Sequence, residues 1–231
     1  MGVVFGRRHG GSETEVLLSV HDRERGTLEV GQDQTIVLLG ASGSGKTTWL
    51  RSLVGIGTGF DETLLFGKPL TKATVAASIG WVPQTDGVFL SESVWSNVHA
   101  PRYVEPCQPE RAMDALDWVG LADRAMEPVA NLGSGAKRRV ALARAVARRR
   151  PLLIIDGELD RSLWPMFPSL CQQFSWLRGV VVATATIEDL AWHADHVAPV
   201  EEGKVLDQAP LATLMDSTNP SVKSVLAWTT P

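Results

Sequence analysis

The apolar positions of this chain fall into two rhythms. Thr35-Ile36-Val37-Leu38-Leu39, Leu152-Leu153-Ile154-Ile155-Asp156 and Val180-Val181-Val182-Ala183 are unbroken apolar or β-branched runs. Such runs predict strands buried on both faces, as in a parallel sheet. Glu15 to Val20 and Thr27 to Val30 read as strands on either side of an Arg25-Gly26 turn, and Gly31-Gln32-Asp33 turns the chain into the run at 35–39. Thr63 to Phe66 followed by Gly67 to Leu70 predicts a short strand and turn, and Ser78 to Pro83 a strand ending at Gln84. His196 to Val200 and Lys204 to Leu206 predict the closing strands. Helical spacing appears over 93–98, over 110–119 with Met113, Leu116 and Trp118 or Val119 on one stripe, and over 137–150 with Val140, Leu142, Ala145 and Val146. Residues 210–228 read as two short helices, and residues 1–14 as a loose polar lead. Strands alternating with helices imply an α/β fold with a mostly parallel sheet.

Between the strand at 35–39 and a run able to open a helix, Thr48 to Leu53, lies Gly40-Ala41-Ser42-Gly43-Ser44-Gly45-Lys46-Thr47. It fits G-x-x-x-x-G-K-[ST], the Walker A phosphate loop, in the strand–loop–helix setting that the motif requires. Glycines 40, 43 and 45 let the backbone wrap a phosphate with N–H groups facing inward, and a helix N-terminus adds partial positive charge. Gly40 to Thr48 are therefore the expected cradle, with Lys46 on the β- and γ-phosphates and the Thr47 hydroxyl on Mg²⁺.

Composition narrows the setting. The 231 residues suffice for one large α/β domain, and 44% hydrophobic with 21% charged residues is ordinary for a globular protein. The net charge of −4 gives no pointer to nucleic acid. Cys107 and Cys171 lack the close spacing of a zinc site or disulfide framework, which fits a reducing cytoplasm. No apolar run approaches the roughly 20 residues of a membrane span, and Met1 to Gly11 lacks the apolar stretch of a secretory signal. The eight tryptophans read mostly as core filler. Lys137, Arg138, Arg139, Arg144 and Arg148 to Arg150 have no interleaved aromatics, so a solvated helix face is expected rather than a nucleic-acid patch. His193, Asp195 and His196 are spaced poorly for a closed metal site and are expected at the surface.

Further motifs follow in a telling order: Trp81-Val82-Pro83-Gln84, Ser93 to Val98, Leu132-Gly133-Ser134-Gly135-Ala136-Lys137-Arg138-Arg139 leading into a helix, an acid-tipped strand ending at Asp156, and Ala194-Asp195 before a strand and Gly203. Together with the phosphate loop, this series resembles the nucleotide-binding subunit of ABC transporters over nearly the whole chain. The resemblance implies a P-loop NTPase fold of the ABC ATPase type: a RecA-like core with a mostly parallel sheet, an antiparallel β subdomain and a helical insert. On that reading residues 1–231 are one ABC ATPase domain, with 15–84 and 132–208 the nucleotide-binding core, 85–131 the helical subdomain punctuated by Pro101, Pro106 and Pro109, and 209–231 a helical tail. It implies ATP and Mg²⁺ as ligands, with Thr47, Gln84 and Asp156 around the metal, Gln84 as the Q-loop residue that senses a membrane-spanning subunit, and Leu132, Gly133, Ser134 and Gly135 as a signature facing a partner's nucleotide.

The departures from the family pattern concern the cutting step. Where the family carries a glutamate that orients the attacking water, Asp156 is followed by Gly157, and Glu158 comes one place later. A one-residue slip turns a side chain to the other face, so Glu158 replaces the base only if the loop is rebuilt. Ala185 stands at the switch-histidine position. The signature reads Leu132-Gly133-Ser134-Gly135-Ala136 instead of L-S-G-G-Q, and only Phe5 and His21 are candidates to stack on adenine. A positioned general base contributes about 10²–10⁴ in rate and one charge-stabilising donor about 10²–10³. The expectation is a subunit that binds ATP·Mg²⁺ and hydrolyses it weakly, peripheral on the cytoplasmic face of the membrane. It pairs with a membrane-spanning subunit and a second, more complete ATPase chain, and works in import rather than export. The alternative is a non-transport nucleotide-gated scaffold or regulator; a P-loop kinase or nucleic-acid ATPase is disfavoured by the signature-like helix and acidic balance.

Overall fold

The computed structural model of the protein describes residues 15–101, 105–158, 163, 170–187 and 193–229. Its centre is a six-stranded sheet. In chain order the strands are β1 (Val16–Asp22), β2 (Gly26–Gly31), β3 (Gln34–Leu39), β4 (Glu62–Leu65), β5 (Lys68–Pro69), β6 (Ile79–Val82), β7 (Leu152–Asp156), β8 (Gly179–Thr184), β9 (His196–Glu201) and β10 (Lys204–Val205). The central sheet runs β10-β9-β3-β8-β7-β6, parallel throughout except for the β9–β10 hairpin. The second sheet, β2-β1-β4-β5, is antiparallel.

The unbroken apolar runs are explained by what covers them. Ile36, Leu38, Leu152, Ile154, Val181 and Ala183 pack on one side with the antiparallel sheet and with α1 (Lys46–Leu53). Val37, Leu39, Leu153, Ile155, Val180 and Val182 pack on the other, against the helical side of the molecule. Neither face meets water, so neither needs polar alternation. On the helical side lie α3 (Val94–His99), α4 (Pro109–Trp118) and α5 (Ser134–Ala147). Two further helices, Leu211–Met215 and Pro220–Thr229, add Leu211, Leu214, Val222 and Leu226 to the same cluster.

Several local readings change. Lys72–Ser78 forms α2, whose weak apolar pattern left it unseen; a capping box between Thr71 and Thr74 opens it, and it buries no side chain fully. Pro109 is the first residue of α4 rather than a separator, because its missing N–H is not needed there. The helix expected over 137–150 starts at Ser134 and stops at Ala147, after which Arg149 takes φ 51. Trp49 and Trp118 are core residues, whereas Trp164 and Trp192 lie outside the described residues.

The antiparallel sheet is tied to α1 by one ionic knot. Arg25 pairs with Asp22 at 2.7 Å, donates to Ser52 Oγ on α1 at 3.2 Å, and lies over the Phe60 ring at 4.1 Å. Phe60 in turn meets Trp49, with centroids 4.7 Å apart. The Arg25 contact holds the Asp22 carboxyl down at about 2.

Candidate nucleotide site

β3 ends at Leu39 and the chain turns through Gly40 to Gly45 into α1. Gly45 sits at φ 96, and a Cβ there would lie 2.5 Å from Gly203 Cα. The Gly203 N–H donates to Ser44 O at 2.7 Å and the Gly40 N–H to Thr184 O at 3.3 Å, so the loop is braced from behind by the β9–β10 turn and by the end of β8. The first amides of α1 have no intrahelical partner and carry the positive end of the helix dipole. They face an open cleft of about 710 Å³ lined by Ser42, Gly43, Gly45, Lys46, Thr47 and Thr48 on this side.

Lys46 folds over its own loop, with Nζ donating to Gly40 O at 2.5 Å, Ala41 O at 2.9 Å and Ser44 Oγ at 3.2 Å. Burial pushes its ammonium down, against the pull of Asp156. Two carbonyls and one hydroxyl accept from the ammonium beside the cleft, places that an anionic ligand can take. Across from it, the Thr47 hydroxyl donates to Asp156 Oδ1 at 2.9 Å. Asp156 is 2% exposed, and its Oδ2 is buried without a hydrogen-bond partner. Burial raises the Asp156 carboxyl, with the Thr47 bond, Arg51, Arg138 and Lys46 opposing. A partnerless carboxylate oxygen beside a threonine hydroxyl, with Gln84 on the same cleft wall, is the oxygen donor set that suits Mg²⁺. These residues fit the metal.

The same cleft also holds the positions that depart from the expected pattern. Gly157, Glu158 and Ala185 all line the cleft, as do Ser134 and Gly135 at the start of α5. Leu132 is buried and Gly133 caps the helix. Gly157 takes φ 90, which ends the strand geometry of β7 immediately after Asp156. The side chain of Glu158 is exposed, and its carbonyl accepts from Arg138 at 3.1 Å.

Arg138 overturns the expectation of a solvated helix face. It is 8% exposed and aims into the molecule from the first turns of α5. Its guanidinium donates to the carbonyls of Pro83, Asp156, Gly157 and Glu158 and to Asp86 Oδ1. Arg144 likewise donates to Asp86 O and Gly87 O, both at 2.9 Å. The reason is geometric: the loop after Gln84 and the end of β7 leave backbone carbonyls without strand partners, and only a long forked donor reaches them. Among the described residues, no group of three or more His, Cys, Asp or Glu is placed to hold a metal. Asp195 instead accepts from the Thr35 N–H at 2.8 Å, and His196 Nδ1 lies 3.3 Å from the Gln208 side-chain amide.

The family model described as ABC transporter matches residues 24–158. The chain belongs to the ABC transporter ATP-binding family. It is 33% identical over 195 residues to the aliphatic sulfonates import ATP-binding protein of Yersinia pestis, covering 77% of this chain and 66% of that one. It is 34% identical over 192 residues to the Fe(3+) ions import ATP-binding protein of Streptomyces avermitilis, covering 77% of this chain and 55% of that one. The chain thus spans between about half and two thirds of the length of these relatives. Among solved structures, cbiO1 of Clostridium perfringens, part of the transporter complex cbiONQ, superposes with a TM-score of 0.73 at 22% identity, covering 88% of this chain and 92% of that one. The fold is that of the ABC ATPases, and the family membership implies ATP binding. The sequence reading missed Arg138 and also Asn97. Asn97 is fully buried and holds the loop after Gln84 by accepting from the Phe89 N–H at 2.7 Å and donating to Phe89 O at 3.0 Å and Ser93 O at 2.9 Å. Side chains that satisfy backbone groups in irregular loops leave no periodic trace.

Proposed function

We propose that this chain is the ATP-binding subunit of a transporter, that it holds ATP·Mg²⁺ through Gly40 to Thr48, Asp156 and Gln84, and that it hydrolyses the nucleotide weakly by itself. The carrying observation is the contrast within one cleft: Thr47 and the partnerless Oδ2 of Asp156 suit a metal, while Gly157 and Ala185, where the family pattern carries a glutamate and a histidine, line the same cleft. Mg²⁺ supplies charge neutralisation of the phosphates when bound. Lys46 and the amides of α1 orient the triphosphate, and Gln84 closes the metal side. Glu158 is the remaining carboxylate near the reacting end. With Gly157 in the left-handed region it no longer follows the strand alternation, which leaves it a poor substitute for a water-orienting base.

A weak site of this kind works best against a second, more complete ATPase chain, with Leu132 to Gly135 presented to that partner's nucleotide. The assembly includes a membrane-spanning subunit, with this chain peripheral on the inner face; no helix among the described residues is long and apolar enough to cross a membrane itself. The names of the relatives favour import over export. The rival reading is a nucleotide-gated scaffold outside transport, and it rests on the same Gly157 and Ala185. Co-purification with a polytopic membrane protein decides between them. The test of the weak site is turnover by the purified chain: ATP binding that needs Lys46, with hydrolysis near background, is expected. Turnover at the rate of active family members, abolished by Glu158→Gln, would overturn it.

A further inference from the structure

Two of the candidate metal residues, Gln84 and Asp156, stand at the ends of neighbouring parallel strands, β6 and β7. The β6–β7 ladder ends at Val82↔Ile155: Asp156 still pairs with Ala183 of β8, but Gln84 lies two residues past the end of β6 and Gly157 leaves the strand. What spans the gap is Arg138. Nη1 donates to the carbonyl of Pro83, the residue immediately before Gln84, and to Asp86 Oδ1 just after it at 3.5 Å. Nη2 donates to the carbonyl of Asp156 itself at 2.5 Å and of Gly157 at 3.2 Å, and Nε to that of Glu158 at 3.1 Å. A guanidinium has five N–H donors in a rigid planar fork, and here each of its three nitrogens is engaged. The cation therefore has no donor left for phosphate, and its work is on the backbone.

We propose that Arg138 is the positioning residue of the metal–nucleotide site, one guanidinium holding the backbone of both strand ends that carry the candidate Mg²⁺ ligands. The proposal rests on the reading of Gln84 and Asp156 as metal residues. Groups that hold metal ligands in place, without touching the metal, typically contribute about 10–100-fold to metal affinity. The phosphate loop is built on different elements, β3 and α1, and none of these Arg138 hydrogen bonds goes to either. Loss of Arg138 therefore separates two quantities that a general loss of stability would move together: ATP affinity without metal, and the gain in affinity that Mg²⁺ brings.

The experiment titrates a fluorescent ATP analogue into the full chain, once in EDTA and once in Mg²⁺, for wild type, Arg138→Gln and Arg138→Lys. Wild type is expected to bind more tightly in Mg²⁺. Arg138→Gln is expected to keep the metal-free affinity and to lose about 10-fold or more of the Mg²⁺ gain. Arg138→Lys keeps the buried charge but cannot fork across four carbonyls, so it moves in the same direction; it stands in where the glutamine variant does not fold. A folded variant that keeps the full Mg²⁺ gain overturns the proposal, and so does one whose affinity falls by the same factor in EDTA and in Mg²⁺. Wild type showing no Mg²⁺ gain at all overturns the metal-site reading beneath it, a result separable from failure of the Arg138 variants alone.

Discussion

Gly157 decides whether the cutting machinery was simply truncated or whether the loop was rebuilt, and substituting it tells the two apart. Its φ of 90 lies in the left-handed region. A Cβ there would sit 3.4 Å from Gln84 Cγ and 3.7 Å from Arg138 Nη2, ordinary contact distances. The cost of Gly157→Ala is therefore backbone strain rather than collision, about 1–2 kcal/mol for an L-residue in this region. Against it stands a gain of about 0.4–1 kcal/mol from the stiffer unfolded chain, leaving a net loss near 1 kcal/mol. With an unfolding entropy of about 2.1 cal/mol/K per residue, a chain of this size loses about 2 °C in Tm per kcal/mol. Differential scanning calorimetry should show a drop of about 2 °C. Gly59→Ala, at a position with no positive φ and open space around its Cβ, should show none or a small rise. Gly157→Glu adds the carboxylate that the family carries, but the side chain starts from a left-handed backbone and is not aimed as it would be on a continuing strand. ATP turnover is then expected to stay below the roughly 10²-fold gain that a positioned base provides. A rise of that size with Tm unchanged would refute the argument, because it would mean the loop accepts the glutamate in the family's geometry.

Three more outcomes can be checked directly. Lys46→Ala should abolish ATP binding in a fluorescence titration while leaving the Tm of the ligand-free protein unchanged, since the side-chain hydrogen bonds of Lys46 among the described residues go to its own loop. Asn97→Ala removes one side chain that satisfies three backbone groups; at about 1–3 kcal/mol for a buried polar group left unpaired, chemical denaturation should show a loss of at least one such contribution. Asp22 is held down by Arg25 at about 2, so its stabilising contribution is present above the ordinary carboxylate value and disappears as pH falls through about 2. Asp22→Asn should lower stability at neutral pH and flatten the acid limb of a stability–pH curve, with the two proteins converging at the acidic end.

The strands at 34–39, 152–156 and 179–184 were legible because burial on both faces leaves an unmistakable apolar run. The phosphate loop was legible because its glycines and its Lys46-Thr47 pair have few other uses at that spacing. The short helix α2 was not, since it buries no side chain fully and so shows no stripe. Arg138 and Arg144 were misread because the cationic run they share looks like a solvated face until the carbonyls of 83, 86, 87 and 156–158 are brought to them. Those carbonyls come from distant loops, and no local pattern announces an acceptor that has lost its strand partner. Gly157 was visible as a departure, but its left-handed backbone, which makes the departure more than a missing side chain, belongs to three dimensions only.

The strand that launches the phosphate loop, β3, is paired on one side with β8 and on the other with β9, both encoded more than 130 residues downstream. Ser44 at the crown of the loop then waits for Gly203. A nascent chain still emerging from the ribosome can therefore carry every residue of the phosphate motif and yet have no cradle. Nucleotide held in this cradle can therefore stabilise only a chain whose synthesis has passed the β9–β10 turn.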